Sequence, residues 1–336
     1  MKLSEFYYDL PRELIAQEPL KKRDMARLMV LDRKAGTVAE KVFRDVVEYI
    51  RPGDCLVLND TRVVPVRLMG RRKTGARVEI FVLNPAQKEF RALIRPSKRI
   101  GSGEEIKLEN GVTAVVHGAA GVGRFVRFDA EIGEVLKGGH IPLPPYISRK
   151  DSPEDAKYYQ TVYASKDGAT ASPTAGLHFT ESLLDKLKGM GVSIACVTLH
   201  ASYGTFSPVK AENIEDHEMH SEYYELTEEC ADVINRTKSS GGRVFAAGTT
   251  STRVLESSAS GGGKVRVGSG ETDIFIFPGY EFKVADCIIT NFHLPGSTLL
   301  MLASAFAGKD LIFKAYGQAI DSGFRFFSYG DAMLII

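Results

Sequence analysis

The chain has 336 residues, of which 44% are apolar and 25% are charged, and its net charge is +1. These proportions are ordinary for a soluble globular protein, and they exclude a mostly disordered chain, a coiled coil and a collagen-like repeat. The longest apolar-rich stretch, 299–307, is about half as long as the 18 or more residues of a spanning helix, which excludes a membrane span. At about 150 residues per domain, the length predicts two domains.

The region 63–146 predicts a small β-domain. Its alternating, strand-like segments are 77–82, 90–94, 112–116 and 124–128. Several short strands at this spacing, with no helical stretch, are typical of a small barrel or sandwich, and we expect an antiparallel barrel. Because this region lies between two dissimilar parts, we expect it to be an insertion. The larger domain would then be discontinuous and consist of 1–62 and 147–336.

Strands alternate with helices in the rest of the chain. The predicted strands are 54–58, 192–199, 243–247 and 286–289. Thr180 and Thr227 are placed to cap two helices, and a third helix, 299–307, is apolar on nearly every side and should be buried. Strands joined by helices predict a largely parallel sheet. The expected fold class is therefore α/β, with a largely parallel main sheet and an inserted β-barrel.

Polar residues follow the predicted strands. In parallel sheets, ligands bind outside the carboxyl ends of the strands. The polar segments at those ends are Asn59-Asp60-Thr61, His200, Gly248-Thr249-Thr250-Ser251 and Thr290-Asn291-Phe292-His293. We therefore expect these four segments to converge on one site.

Histidines are the most informative of these polar residues, because they exchange protons near neutral pH. A single histidine after a strand often does no more than hydrogen-bond a loop. For His200 and His293, which both follow predicted strands, we favour a function. His217 and His220 are three residues apart, which would place them on one face of a helix, with His200 or Glu222 as further metal ligands. This spacing is not that of an H-E-x-x-H site, and metal binding stays a minor alternative.

Other local patterns exclude some functions and leave others open. No G-x-S-x-G elbow, P-loop or dinucleotide fingerprint is present, and the four cysteines form no C-x-x-C pair. Arg253 and Glu256 would form an exposed ion pair on their helix, or would bind a ribose or a carboxylate. The aromatic segment 324–333 would form a core strand and loop, or a wall that contacts a base.

Charge is distributed unevenly along the chain. The segment 62–107 contains 12 Lys and Arg against 4 Glu and no Asp, a balance of +8, so the remainder carries −7. A basic segment on a mildly acidic body fits a polyanionic partner. Charge alone favours the plainer interpretation, in which these side chains are the solvated faces of strands.

Taken together, the segments closely resemble one family, the S-adenosylmethionine:tRNA ribosyltransferase-isomerases of queuosine biosynthesis. The resemblance covers nearly the whole chain, and its stretches are Tyr8-Asp9-Leu10-Pro11, Leu58-Asn59-Asp60-Thr61-Arg62-Val63, Pro144-Pro145-Tyr146-Ile147, Tyr159-Gln160-Thr161-Val162-Tyr163-Ala164, Ser172-Pro173-Thr174-Ala175-Gly176-Leu177-His178-Phe179, His217-Glu218-Met219-His220, Gly248-Thr249-Thr250-Ser251-Thr252-Arg253, Thr290-Asn291-Phe292-His293-Leu294-Pro295 and Phe326-Phe327-Ser328-Tyr329-Gly330-Asp331-Ala332-Met333. The sequence departs from the family pattern at Ser202 and Tyr203, where Gly and Ala are usual, and at Ser172, where Ala is usual.

The resemblance implies an unusual reaction. The ribosyl part of S-adenosylmethionine is transferred to the aminomethyl group of a 7-deazaguanine base (preQ1) in the tRNA anticodon loop and is isomerised, which gives epoxyqueuosine and releases adenine and methionine. S-adenosylmethionine is thus a consumed substrate, and no metal or other cofactor is expected. The implied partners are S-adenosylmethionine and tRNA that carries preQ1. We expect a cytoplasmic monomer.

The resemblance, with the polar strand ends, leads to a hypothesis for the site. The expected acid–base residues are His178, His200 and His293, with Asp60 orienting one of them. The residues expected to bind the adenosyl and methionyl parts are Thr249, Ser251, Arg253, Thr290 and Asn291. The residues expected to contact tRNA, all in or next to the basic segment, are Arg62, Arg71, Arg72 and Lys73.

Two other classes of function stay open at this point. One is an RNA-binding protein without chemistry, whose basic β-domain contacts RNA. Clustered polar strand ends argue against it, because a scaffold would not need them. The other is a metal-dependent hydrolase that uses His217 and His220.

Overall fold

The computed structural model describes residues 1–85, 89–202 and 209–336 of the chain. Its described part contains a nine-stranded sheet with flanking helices and a closed six-stranded barrel. The predicted fold class, an α/β body with an inserted antiparallel β-barrel, is confirmed. The sequence departure at Tyr203 lies outside the described residues. Every helix in the described part is too short or too polar to cross a membrane.

The main sheet is mixed and has a parallel centre. Across the sheet, its strands are β17 (Gly268–Thr272), β13 (Glu222–Leu226), β12 (Ser193–Leu199), β3 (Cys55–Asn59), β14 (Val244–Ala247), β18 (Cys287–Asn291), β19 (Ala332–Ile335), β1 (Arg27–Asp32) and β2 (Thr37–Val42). The central strands β12, β3, β14 and β18 are parallel neighbours. Because they point the same way, their carboxyl ends lie along one edge of the sheet.

Alternate residues of the central strands pack on opposite faces of the sheet. On β3, Cys55 and Val57 belong to one buried apolar cluster, whereas Leu56 and Leu58 belong to another. Such strands have few polar residues because they are buried on both faces. The helices are α1 (Ile132–Leu136), α2 (Asp155–Tyr158), α3 (Glu181–Gly189), α4 (Glu228–Ser239), α5 (Thr249–Ser257), α6 (Thr298–Ala307) and α7 (Lys309–Asp321).

Local signals in the sequence set the helix ends. The side chain of Thr180 accepts a hydrogen bond from the backbone of Leu183 at 3.1 Å, and Thr227 accepts one from Cys230 at 3.4 Å. Both predicted caps are therefore present at the starts of α3 and α4. The predicted apolar helix is α6, and most of its side chains are buried.

The barrel is closed and antiparallel throughout. Its strands are β5 (Arg67–Arg72), β6 (Arg77–Val82), β7 (Phe90–Arg95), β8 (Glu104–Leu108), β9 (Thr113–Ala119) and β10 (Arg124–Phe128). Every second side chain points inward into a buried apolar cluster that includes Leu68, Ile80 and Val116. The strands lie within 63–146, and the division of the chain at those residues stays a prediction.

Small two-stranded pairs complete the secondary structure of the described residues. One joins β4 (Thr61–Val63) to β11 (Lys166–Ala169) in parallel, and the other joins β15 (Ala259–Gly261) to β16 (Lys264–Val265). In this pair, β4 follows β3 along the chain after a single residue. It therefore connects the barrel to the edge of the main sheet where the polar segments lie.

Two local expectations need correction. Thr290 and Asn291 are the last residues of β18 and do not form the turn after it. His217 and His220 follow the short helical turn Ile214–Asp216 and lie in irregular backbone, so they do not share a helix face. Within the described residues, no group of three or more His, Cys, Asp and Glu side chains is arranged to hold a metal ion.

Candidate active site

A cleft lies at the carboxyl edge of the central strands. Its volume is about 420 Å³. Its lining residues come from the ends of β14 and β18, the starts of α5 and α6, the segment before α3, and Ala201, which follows His200 after β12. Four of the predicted site residues, Thr249, Thr290, Asn291 and His293, line it together. A neighbouring cleft of about 360 Å³ also contains Asn291 and His293 in its wall. The predicted polar segments at the ends of β14 and β18 thus meet at one cleft, as expected.

His293 is held in place by contacts on both its side chain and its backbone. Its Nε2 lies 2.7 Å from Thr290 Oγ1, and the two atoms share a hydrogen bond. Its backbone N–H donates to the hydroxyl of Tyr316 at 2.8 Å, and its carbonyl accepts from the hydroxyl of Tyr8. Burial lowers the pKa of His293 to about 3, so the imidazole is neutral at pH 7.

Asn291 joins the cleft to His178. Its Oδ1 accepts a hydrogen bond from Thr174 Oγ1 at 2.9 Å, which turns the amide nitrogen toward His178 Nε2 at 3.1 Å. His178 is absent from the lining of the first cleft and lines a separate one of about 290 Å³ beside Arg23 and Arg325. Burial lowers the pKa of His178 to about 4. His178 therefore lies outside the lining of the first cleft and can orient the amide of Asn291, which is part of that lining.

His200 lies at a different place along the same edge. It follows β12, and β3 and β14 separate it from β18. At about 4.8 Å between strands, this separation is roughly 14 Å. No direct hydrogen bond spans such a distance, so His200 and His293 would act on different parts of a substrate.

The partner of His200 is Thr61, whose Oγ1 lies 2.7 Å from His200 Nδ1. The ring is stacked on Tyr223, and burial lowers its pKa. The carboxylate of Asp60 accepts hydrogen bonds from the hydroxyls of Thr198 and Ser165 at 2.7 and 2.8 Å. Asp60 therefore fixes the strand end beside His200 and has no hydrogen bond to a histidine of the described residues.

Two predicted substrate-binding residues lie inside the protein. Ser251 donates to the carbonyl of Ala247, the last residue of β14, at 2.8 Å. Arg253 forms a buried ion pair with Glu222, and its guanidinium also donates to the carbonyls of Thr272 and Ile274. These contacts engage both side chains within the protein, and their role in substrate binding stays a prediction.

Glu256, the other residue of the expected exposed pair, is also buried. Its carboxylate accepts hydrogen bonds from three consecutive backbone N–H groups, at 2.8 to 3.1 Å, and from the hydroxyl of Tyr280. It does not form an ion pair with Arg253 in the described structure. Glu256 fixes the loop that leads into β18.

The aromatic segment at 324–333 contributes to both the core and the clefts. Phe324 and Phe326 are fully buried in the apolar cluster on one face of the sheet. Phe327 and Ser328 line the second cleft, and Tyr329 lines the cleft that contains His178. The core part of the first interpretation is confirmed, and contact of this segment with a base stays a prediction.

The four predicted tRNA-contacting residues differ in their surroundings. Arg62 is paired with Asp167 at 3.3 Å, Arg72 with Glu104, and Lys73 with Glu105 at 3.0 Å. Arg71 is exposed, and its guanidinium donates to the carbonyl of Gly75. Among these four, Arg71 has no ion-pair partner within the described residues.

Thr174 was missed by sequence reasoning, and Thr61 was predicted only as part of the segment Asn59-Asp60-Thr61, with no role of its own. Each contacts the site through a hydrogen bond to a residue more than 100 positions away in the chain. A threonine hydroxyl gives no signal of such a contact in the sequence. Thr174 is distinguished in the sequence only by lying in a stretch that carries the family resemblance.

Fold and site together define an α/β protein with a polar cleft at the carboxyl edge of the parallel centre of its sheet, the place where ligands of such folds bind. The model of the Queuosine biosynthesis protein family matches residues 3–335. The chain is 53% identical to an S-adenosylmethionine:tRNA ribosyltransferase-isomerase of Acetivibrio thermocellus and 50% identical to one of Clostridioides difficile, with complete coverage of both chains in each case.

A solved structure supports the same assignment. A crystal structure of an S-adenosylmethionine tRNA ribosyltransferase from Thermotoga maritima is similar with a TM-score of 0.58 and 37% identity, over 99% of this chain and 100% of that one. The chain therefore belongs to the queuosine biosynthesis family, and the predicted resemblance is confirmed. Membership makes it an enzyme of the transferase-isomerase class.

Proposed function

We propose that this enzyme transfers the ribosyl moiety of S-adenosylmethionine to the aminomethyl group of preQ1 in tRNA and isomerises it to give epoxyqueuosine. Adenine and methionine leave. S-adenosylmethionine is consumed, and the reaction as written needs no metal or redox partner. The cytoplasm, where tRNA is found, stays the predicted compartment, and a monomer the predicted state.

One observation carries this proposal: the cleft at the strand ends combines polar, uncharged side chains with a neutral histidine. Thr249, Thr290 and Asn291 offer hydrogen bonds to a sugar or a base, and His293 lies beside them. Among the described residues that line the first cleft, none carries a carboxylate or a cationic side chain. Such a lining suits an adenosyl group better than a polyanion.

The reaction requires several proton transfers. The sulfonium acidifies the C5′ hydrogens, one of which a base removes. The acceptor amine, with a pKa of about 10 like that of lysine, must also lose a proton before it attacks. The C–N bond to adenine breaks more easily when adenine is protonated. One of the protons lost from carbon and nitrogen goes to adenine and the rest go to solvent, so the protons of the proposed reaction balance.

The lowered pKa values leave the site histidines unprotonated in the free enzyme, so none of them is a ready proton donor there. Burial lowers the pKa of His293 to about 3 and that of His178 to about 4, and it lowers that of His200 as well. A neutral imidazole can accept a proton. Once protonated, an imidazolium with so low a pKa is a strong acid and passes its proton on readily. We assign His293 this relay role next to the adenosyl group.

His200 is assigned to the second part of the reaction. It lies about 14 Å along the edge from β18, at three strand spacings, and beside the β4–β11 pair that leads to the barrel. A base at this place suits the incoming amine of the RNA. Thr61 sets the orientation of its ring through the 2.7 Å contact.

The barrel is proposed to dock the tRNA backbone through a row of cations. Arg71 lies directly opposite Arg77 on β6 and Lys107 on β8. All three side chains are exposed, and no ion pair joins any of them to a carboxylate within the described residues. Like charges directly across a sheet destabilise it. Phosphate groups would relieve this repulsion, which supports a role in tRNA binding.

An adenine-release assay tests the proposal. The enzyme is mixed with S-adenosylmethionine and an anticodon stem-loop that carries preQ1, and an unmodified guanine stem-loop is the control. We expect adenine with the modified RNA alone. Salt-sensitive binding of both RNAs without adenine would favour an RNA-binding protein instead. Dependence of turnover on an added metal would favour the hydrolase alternative.

A further inference from the structure

The helix α5 begins at the wall of the first cleft. The backbone N–H groups of its first turn have no hydrogen-bond acceptor among the described residues. Within the described residues, no acceptor bonds the backbone N–H groups of Thr249, Thr250 and Ser251, whereas Thr252 N–H donates to the carbonyl of Gly248. The cap residue is Gly248, which offers no side chain. The start of a helix carries a partial positive charge and binds anions when such groups are free.

Two buried hydroxyl groups provide an independent sign of a ligand at the same place. Ser172 Oγ and Thr250 Oγ1 have no hydrogen-bond partner, although the residues are only 6% and 8% exposed. Both residues line the first cleft. Buried hydroxyls are usually paired, so two unpaired ones on one wall indicate that a ligand completes them.

The backbone leaves room for that ligand. Gly248 has a φ of 94°, which favours glycine. A Cβ on Gly248 would lie 3.6 Å from Thr250 Oγ1 and 3.7 Å from the Cβ of Ala175. The absent side chain therefore keeps open the space between the helix start and the segment that contains Ser172.

We propose that the start of α5, together with Thr250, binds the α-carboxylate of the methionyl part of S-adenosylmethionine, and that Ser172, which stands where Ala is usual in the family, adds a further donor in this chain. This inference rests on the proposed function, which supplies the substrate. Two hydroxyl donors and a row of backbone N–H groups match the two oxygens of a carboxylate. The assignment also orients the substrate, because the adenosyl part then extends toward Thr290 and His293 on β18.

A phosphate group of the RNA has the same donor-seeking chemistry and is the other source of an anion here. The carboxylate is favoured because the described part of the cleft wall contains no lysine or arginine. Phosphates in tRNA contacts are usually met by such cations. Binding without RNA separates the two sources.

The test measures dissociation constants by calorimetry for the whole enzyme without RNA. The ligands are S-adenosylmethionine and its decarboxylated analogue, and the variants are Ser172→Ala and Thr250→Val. We expect the analogue to bind the wild type at least about tenfold more weakly than S-adenosylmethionine, the size of one hydrogen bond to a charged group. Each variant should weaken S-adenosylmethionine about tenfold and leave the analogue unchanged.

Ser258→Ala is the matched control. Ser258 also has an unpaired, buried hydroxyl, but it lies at the other end of α5. We expect this variant to bind both ligands like the wild type. Ser172→Ala and Thr250→Val should unfold at the wild-type temperature or above, because each removes an unsatisfied hydroxyl.

Several outcomes would overturn the assignment. Equal weakening of both ligands by the variants would do so, and so would unchanged affinity for both. Competition by inorganic phosphate that the variants abolish, with unchanged S-adenosylmethionine binding, would assign the site to phosphate. A wild type that binds no S-adenosylmethionine, either alone or with the unmodified guanine stem-loop present, would instead count against the proposed function itself, which is a distinguishable result.

Discussion

The buried ion pair between Arg253 and Glu222 gives the sharpest prediction of stability. Both residues are 4% exposed, and Glu222 also accepts a hydrogen bond from the backbone N–H of Ser202 at 2.7 Å. Arg253→Met removes the cation but keeps most of the side-chain volume. The carboxylate of Glu222 then remains buried without its charged partner.

The expected loss of unfolding free energy is about 3–5 kcal/mol, the usual effect of removing one partner of a buried pair. At about 2–3 °C per kcal/mol for a large chain, the unfolding temperature should fall by roughly 6–15 °C. Scanning calorimetry without ligand measures this. A second substitution, Glu222→Gln, should recover most of the loss, because the amide is uncharged and still accepts from Ser202.

The alternative is that Arg253 binds substrate, as the sequence predicts. In that case Arg253→Met would leave the unfolding temperature unchanged and raise the KM for S-adenosylmethionine. A double variant no more stable than Arg253→Met would also refute the argument from the buried charge.

Three further predictions follow from the site and the barrel. His293→Gln should lower the rate of adenine release about 100- to 10,000-fold with little change in KM. The control variant His220→Ala, in an exposed loop, should release adenine at the wild-type rate. Near-normal turnover of His293→Gln would contradict the relay role. Because burial lowers the pKa of His178 to about 4, its contribution to stability is complete above pH 6.5 and is lost as the pH falls toward 4. His178→Gln should therefore reduce the loss of unfolding free energy between pH 6.5 and 5 by about 2 kcal/mol, and an unchanged pH profile in denaturant titrations would refute this. Arg71→Ala should lower the magnitude of the slope of log affinity for tRNA against log salt concentration by about 1. The control variant Arg236→Ala, exposed on α4, should leave the slope unchanged. An unaltered slope for Arg71→Ala would show that Arg71 does not contact tRNA.

Local features of the fold were predictable because their causes are local. Thr180 and Thr227 cap helices through contacts three residues away. The barrel strands alternate because every second side chain is buried. By contrast, β1 obtains its position from pairing with β19 near the other end of the chain. No local pattern predicts such a pairing.

The sequence predicts where the site lies, but it predicts few of the hydrogen bonds and ion pairs that its side chains form. Because parallel strands share one carboxyl edge, Thr290 and His293 could be expected near Thr249. The partners of these side chains depend on three-dimensional packing. Ser251 donates to Ala247 at the end of β14, and Arg253 on α5 pairs with Glu222 on β13. A charged residue on a helix therefore proved to be buried.

A ribose-labelled S-adenosylmethionine tests the central claim most directly. The enzyme is incubated with this substrate and the preQ1 stem-loop, and the label is followed by mass spectrometry of the RNA and of the small products. We predict that the whole ribose label enters the RNA, with adenine and methionine released in equal amounts. Label that stays on a sulfur-containing product, or RNA that gains only a methyl group, would contradict ribosyl transfer.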